Sequence, residues 1–411
     1  SLPGFSFHDQ RVQRLVSSAP RRLRSTLSKE HEIPRAPHGN AGLRVAPWQF
    51  GADPHGQNDS SDALQMSVDY CVNQSLMNRG VFPGLEDDWG PVRDAGGCIV
   101  DLDGGEYLIS KPIRFPEFVA NMEFGYGSIV ADSKMFPAGA FLLVVGVNGS
   151  CQFPQGSCNM DLNFPDVFLD GSNVASGMQI NNVMGTTVGP GGYFLNFTTY
   201  GLQINNGHEV MMERCWLGET NFDYKFAKHK TLPRATAIQI NGNDHYILNT
   251  IIFSSKVGVQ VNGAADVIKG VHVWFPLNQA LAFNDTMAFH VPSSGNRFDG
   301  CYIDGGRAVF EGDGLQQNLW TNGFECCAGR GLEQVPHGII LRGNTIGPGL
   351  QIFGNMFNGG SITHETASAG KHPVVLDSRI SHNSFSDTGR HTQVSQSLTQ
   401  EHATWWKFDF C

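Results

Sequence analysis

Gly177-Met-Gln-Ile-Asn181 returns as Gly201-Leu-Gln-Ile-Asn205, Ala237-Ile-Gln-Ile-Asn241 and Gly258-Val-Gln-Val-Asn262. Successive side chains of a strand face opposite ways, so the aliphatic residues of every copy (Met178 and Ile180, for instance) can point into one core. Gln179, Gln203, Gln239 and Gln260 then stand on the outer face. The closing asparagines are expected where each strand turns, because asparagine tolerates left-handed backbone. A strand-and-turn unit recurring every ~20–36 residues is the signature of a β-solenoid.

A second strand follows each copy: Val210–Leu217, Tyr246–Phe253, Asp266–Val273, Asn296–Ile303 and, less cleanly, Gln317–Phe324. Stacking these predicts a buried column of Cys215, Ile251, Val271, Cys301 and Phe324. Trp216, Ile252, His272 and Tyr302 would then form one outward file, and Gly218, Ser254, Trp274 and Asp304 the next. The expected fold is all-β, a right-handed single-stranded parallel β-helix with coils about 4.8 Å apart. Its handedness is an expectation of the class.

The 411 residues carry 49 glycines and 28 phenylalanines against 8 tyrosines, which suits many tight turns around a continuous apolar core. A formal charge of −10 argues against nucleic acid as a partner. No apolar run is long enough to span a bilayer, so no membrane partner is expected. Asn58, Asn73, Asn148, Asn196 and Asn284 open glycosylation sequons, and with nine cysteines they favour a secreted, extracellular protein. Cys71 with Cys98 and Cys151 with Cys158 are candidate disulfides, and Cys411 is expected to pair with Cys326 or Cys327. Cys215 and Cys301 read as buried thiols.

Residues 1–46 read as an extended N-terminal arm and 47–411 as one β-helix domain with its caps. Ser60-Ser61-Asp62 supplies helix N-cap residues, and Leu64, Val68 and Val72 follow at helical spacing. A short helix here would plug the open N-terminal end of the solenoid. Trp405–Cys411 is expected to cover the other end. Long insertions at Glu219–Ala235 and Trp274–Met287 break the coil length, as loops that wall a binding groove do.

Phe50-Gly-Ala-Asp-Pro-His-Gly-Gln-Asn-Asp-Ser-Ser-Asp-Ala63 resembles the N-terminal motif of pectate-lyase-superfamily β-helix proteins. Phe197-Thr-Thr-Tyr-Gly201, Gly207-His-Glu209, Asn243-Asp244, Ile252-Phe-Ser254, Gly270-Val-His272 and Asp299-Gly-Cys-Tyr-Ile-Asp304 resemble the plant QUARTET-type polygalacturonases. The likeness covers most of residues 50–360. It implies a secreted β-helix enzyme, a polygalacturonase-like glycoside hydrolase acting on an acidic cell-wall or matrix polysaccharide. Standard polygalacturonases also carry Asn-Thr-Asp, Asp-Asp, Gly-His-Gly and Arg-Ile-Lys segments. Here the only Asp-Asp is Asp87-Asp88, Gly207-His208 is followed by Glu209, and Arg379-Ile380 by Ser381. That departure keeps two alternatives open: a lyase acting by β-elimination on a uronate polymer, and a non-catalytic carbohydrate-binding solenoid.

Hydrolysis of a glycosidic bond needs two carboxyl groups flanking it. The outward files make His272 and Asp304 diagonal neighbours about 8 Å apart. Trp216, Trp274 and Tyr302 stand around them as sugar-stacking rings, and Glu219 is a further substrate-binding candidate. Asp304 with Asp299 or Asp244 is the expected acid pair. Glu213 and Asp299 share a second acidic file. His208, Glu209 and Asp244 follow the turn asparagines of neighbouring coils and form the alternative cluster, for which turn capping is the plainer explanation. No cofactor is expected; calcium, which takes several carboxylate and carbonyl oxygens, has its best place near Asp299 and Asp304.

Overall fold

A computed structural model describes residues 42–73, 92–147, 149, 151, 158–220, 235–275, 286–326, 338–365 and 374–386. All of them fall within the unit Ala36–Cys411. Their strands pair in parallel into three long sheets of 13, 12 and 10 strands. Each coil contributes one strand to the third sheet, then one to the first, then one to the second. One coil, for example, runs Thr236–Ile240, Tyr246–Leu248, Ile251–Phe253. The parallel β-helix expected from the repeat is therefore what forms.

The phrase copies stack in the third sheet in the register that the sequence dictates: Gln179, Gln203, Gln239 and Gln260 are successive partners. Met178, Ile180, Leu202, Ile204, Ile238, Ile240, Val259 and Val261 are all fully buried. The outward glutamines bond to one another up the stack at 2.7, 2.7 and 2.9 Å. Asn181, Asn205, Asn241 and Asn262 make a second amide ladder beside them. That corrects one expectation. Asn181 and Asn205 remain in their strands, and the left-handed residues are the next ones, Asn182 (φ 50°) and Asn206 (φ 55°).

A second correction concerns the buried column of the second sheet. Trp216, Ile251, His272, Tyr302 and Phe324 are the partners, so Ile251 and Phe324 belong to the outward file. The inward file is Leu217, Ile252, Val273, Ile303 and Glu325. The expected alignment slipped by one residue at two coils, which exchanges the faces of a strand. Glu325 is therefore a carboxyl in an apolar column, 5 % exposed, with both oxygens unpartnered.

The helix Ser61–Asn73 buries Leu64, Val68 and Cys71 against Arg93–Asp101 and Ile113–Phe115, the strands of the first coils. Asp59 accepts the Ser61 N–H at 3.1 Å and begins it. Cys71–Cys98 staples the helix to the solenoid, and Cys151–Cys158 closes a loop. Cys215 and Cys301 are buried free thiols. Cys326 is disulfide-bonded; Cys327, Cys411 and the expected covering strand lie outside the described residues. Arg44–Val45 already pairs with Ile99–Val100, so the β-helix begins before residue 47. Among the described residues no helix is long and apolar enough to cross a membrane.

Candidate functional site

The outer face of the second sheet holds the strip on which the aromatic candidates fall. His272 and Trp274 share one strand, Tyr302 and Asp304 the next, so His272 and Asp304 are diagonal neighbours as expected. The rings, however, stack on each other up the file. Tyr193 lies over Trp216 (6.4 Å, 13°) and His272 over Tyr302 (4.2 Å, 6°). Tyr302 therefore turns one face to a neighbouring ring rather than to a sugar. Its hydroxyl donates to Sγ of the disulfide-bonded Cys326 at 3.0 Å. Trp216 and Trp274 remain 42 % and 36 % exposed. Burial pushes the Asp304 carboxyl up to about 6 and lowers His272, whose Nε2 is enclosed without a partner.

Asp304 does not meet its expected second carboxyl. Asp299 ends a strand of the first sheet, where Asn322 (2.8 Å) and Lys269 (3.3 Å) hold it. The Asn322 hydrogen bond and the lysine keep it below the ordinary carboxylate value. Glu213 shares its file, but Leu248 and Lys269 stand between them. Glu219 follows the strand Trp216–Gly218, three strands from Asp304 and thus about 14 Å away; burial pushes it up to about 7. Asp244 lies on another corner of the solenoid altogether. Asp299 on the first sheet and Asp244 at another corner face away from Asp304, whereas Glu219, on the same sheet, is separated from it by distance along the stack.

The alternative cluster does come together. His208, Glu209 and Asp244 lie where the third sheet passes into the first, on adjacent coils. The Glu209 N–H donates to the Asp244 carbonyl at 3.1 Å. His208 Nδ1 lies 3.5 Å from Asp244 Oδ2, and both side chains are nearly half exposed. Glu209 and Asp244 have φ of 50° and 62°. An aspartate visits this region readily, whereas a glutamate there is uncommon and carries strain.

Two residues that the sequence reading missed stand directly behind this corner. His245 Nδ1 accepts the Val210 N–H at 3.1 Å, and Asp266 Oδ1 accepts the His245 N–H at 2.9 Å. Both are fully buried. Burial, with a contribution from His208, lowers His245 to about 3, and burial raises Asp266 to about 7. Their signal was polar residues at positions aligned with the buried Val210. Also missed was an ion-pair network on the outer third sheet: His290–Glu311 (2.7 Å), Arg342–Glu311 (3.1 Å) and Arg342–Glu365 (2.9 Å). It begins where the glutamine file passes into His290.

Among the described residues no group of three or more His, Cys, Asp or Glu is assembled for a metal. Asp299 and Asp304 lie on separate sheets, and Asp299 is ion-paired with Lys269. Of the sequons, Asn58 and Asn73 are exposed. Asn196 is 7 % exposed, its amide donating to Asp170 and its oxygen accepting from Thr220, so the folded chain does not present it to a glycan. Asn148 and Asn284 lie outside the described residues, as do 221–234 and 276–285, the central parts of the two long insertions.

No protein-family model matches the chain. In an alignment of 393 residues that covers 92% of this chain and 72% of the relative, it is 27% identical to the polygalacturonase QRT3 of Arabidopsis thaliana. The resemblance read from the sequence is thereby borne out. Among solved structures it is similar to ORF18 of Geobacillus virus E2 (TM-score 0.52, 13% identity, 85% of this chain). The chain spans 62% of that viral protein's length. It is also similar to a variant tailspike protein of the E. coli bacteriophage HK620 in complex with a pentasaccharide (TM-score 0.50, 12% identity, covering 84% of this chain and 67% of that one). At such identities these structures show the fold alone.

Proposed function

We propose that this chain is a secreted, polygalacturonase-like glycoside hydrolase that cleaves an acidic cell-wall polysaccharide at the His208–Glu209–Asp244 corner. The observation that carries the reading is the likeness to a polygalacturonase along 92% of the chain. The corner supports it chemically. Glu209 and Asp244 stand on adjacent coils about 5 Å apart in backbone, a spacing from which their carboxyls can reach the ~5–10 Å separation that retaining or inverting hydrolysis requires. One carboxyl gives its proton to the leaving glycosidic oxygen. The other acts as base or nucleophile, and His208 hydrogen-bonds to Asp244 or to a substrate carboxylate.

Incubation with polygalacturonate and a panel of other uronate and neutral matrix polymers tests this. Release of reducing ends without new absorbance near ~235 nm is expected; growing absorbance there would move the reaction to β-elimination. The non-catalytic reading is favoured by one specific observation, the missing Asn-Thr-Asp and Arg-Ile-Lys segments. Binding without product from any polymer would establish it instead.

A further inference from the structure

We propose that His245 and Asp266 are positioning residues that hold Glu209 and Asp244 in place from inside the solenoid. The inference rests on the hydrolase reading of that corner, and it concerns how the corner keeps its shape.

Each acid residue is followed by a peptide unit that is gripped by a buried side chain. The link after Glu209 presents the Val210 N–H, and the His245 ring accepts it. The link after Asp244 presents the His245 N–H, and the Asp266 carboxyl accepts it. The Asp266 N–H in turn donates to Asn296 Oδ1 at 3.0 Å, and the Asn296 N–H to Asn318 Oδ1 at 2.7 Å. A ladder of buried side chains thus anchors the corner to the three coils beyond it. Both acids occupy the left-handed region, and a residue held there needs surroundings that over-determine it. Among the described residues, these two hydrogen bonds supply that constraint on the inner side of the corner.

Because Nδ1 accepts an N–H, the neutral ring carries its proton on Nε2. Nε2 and Asp266 Oδ2 are buried and unpartnered. Both open toward a pair of glycines. A Cβ on Gly242 would lie 2.3 Å from His245 Nε2, and a Cβ on Gly263 would lie 1.5 Å from the Gly242 carbonyl and 3.0 Å from Asp266 Oδ2. Gly242 leaves room for the His245 ring, and Gly263 for the Gly242 carbonyl and the Asp266 carboxyl together.

The test compares Asp266→Ala and His245→Ala with the conservative Asp266→Asn and His245→Asn, which keep an acceptor at the same reach. Turnover of polygalacturonate is measured well below each variant's unfolding midpoint. The alanine variants should lose about 10–100-fold in kcat, the scale of small misplacements of reacting groups, with KM within about twofold. The asparagine variants should recover to within about threefold of wild type. Folded alanine variants with wild-type kcat, or asparagine variants no better than alanine, overturn the proposal. Should the alanine variants fail to fold, 15N shifts of the wild-type imidazole decide: a proton on Nδ1 overturns it. If the wild type turns over no polymer, the hydrolase reading falls. The gripping is then judged by amide exchange at Val210 and His245, which should accelerate at least about tenfold when the acceptor is removed; unchanged exchange overturns it.

Discussion

The corner around Glu209 and the strip around Tyr302 each carry a histidine and an aspartate, yet among the described residues of the two it is the corner that sets two acids on adjacent coils. On the strip, Asp304 stands alone beside rings that stack on one another, half-buried and raised to about 6. At the corner, Glu209 and Asp244 are joined through the backbone and open to solvent, with His208 beside them. The difference is one of placement. Acids on neighbouring sheets face apart, whereas equivalent positions on successive coils stack about 4.8 Å apart. The corner has an acid at equivalent positions of two adjacent coils, while the file of Asp304 has Trp274 and Cys326 beside it.

The sharpest way to break this comparison is to neutralise the corner. Glu209→Gln and Asp244→Asn keep size and hydrogen bonding but remove the titrating group. Each should lower turnover of polygalacturonate by at least ~100-fold, the usual scale for losing a general acid or base. Retained activity in both variants would return the active site to the strip.

The fold was legible in the sequence because the Met-Gln-Ile-Asn phrase states period, face and register at once. The second-sheet register was less so. Tyr246–Phe253 is apolar on both sides of its alternation, so it can be slid by one residue without penalty to the pattern, and the expected register turns Ile251 inward where the structure turns it outward. The corner acids were visible in Gly207-His-Glu209 and Asn243-Asp244. What could not be read was which of them lie back to back, since that depends on how coils of unequal length stack. His245 and Asp266 were hidden for a related reason: their one signal is alignment with the buried Val210 across coils, and that register depends on how the coils stack.

A lone buried carboxyl sharpens the contrast with the exposed pair. Glu325 continues the column Leu217, Ile252, Val273, Ile303 and adjoins a cavity of about 10 Å³ lined also by Trp320, Gly323, Asn355 and Phe357, room for a single water. Among the described residues no cation faces it, and burial raises it well above its ordinary value of 4.5. Since the folded state holds the proton more tightly, its stabilising share is complete below pH 4.5 and is lost as pH rises. Glu325→Leu should therefore raise stability, more at pH 8 than at pH 4, by on the order of 1–3 kcal/mol. Denaturant titrations across that range check the sign. A wild-type protein that gains stability with pH, by an amount the variant abolishes, would mean that Glu325 is ionised and paired.

If the strip is chiefly structural, its rings should matter to folding more than to substrate. Tyr302 stacks on His272 and meets Phe324 edge-on at 5.0 Å. Tyr302→Ala should cost about 1–2 kcal/mol, the combined scale of such cross-strand aromatic pairs. KM for polygalacturonate should stay within about twofold. A large rise in KM at unchanged stability would make the strip a sugar platform after all.

The smallest effect belongs to Asp304, and it separates the two regions most cleanly. Asp304→Asn leaves size and hydrogen-bonding capacity in place and removes a group that, raised to about 6, is protonated through much of the mildly acidic range. Among the described residues no second carboxyl stands within reach on its outer face, so it has no partner for acid–base cleavage and turnover should change by less than about threefold. Its raised value gives stability that is complete below the ordinary 3.8 and lost as pH rises through about 6. The asparagine variant should lack that slope and be slightly the more stable at neutral pH. Paired kinetic and unfolding measurements at pH 4 and pH 7 read both effects. A loss of turnover on the scale expected for Glu209→Gln would show that Asp304 does find a second carboxyl when substrate is bound, and the corner would then be the structural element of the two.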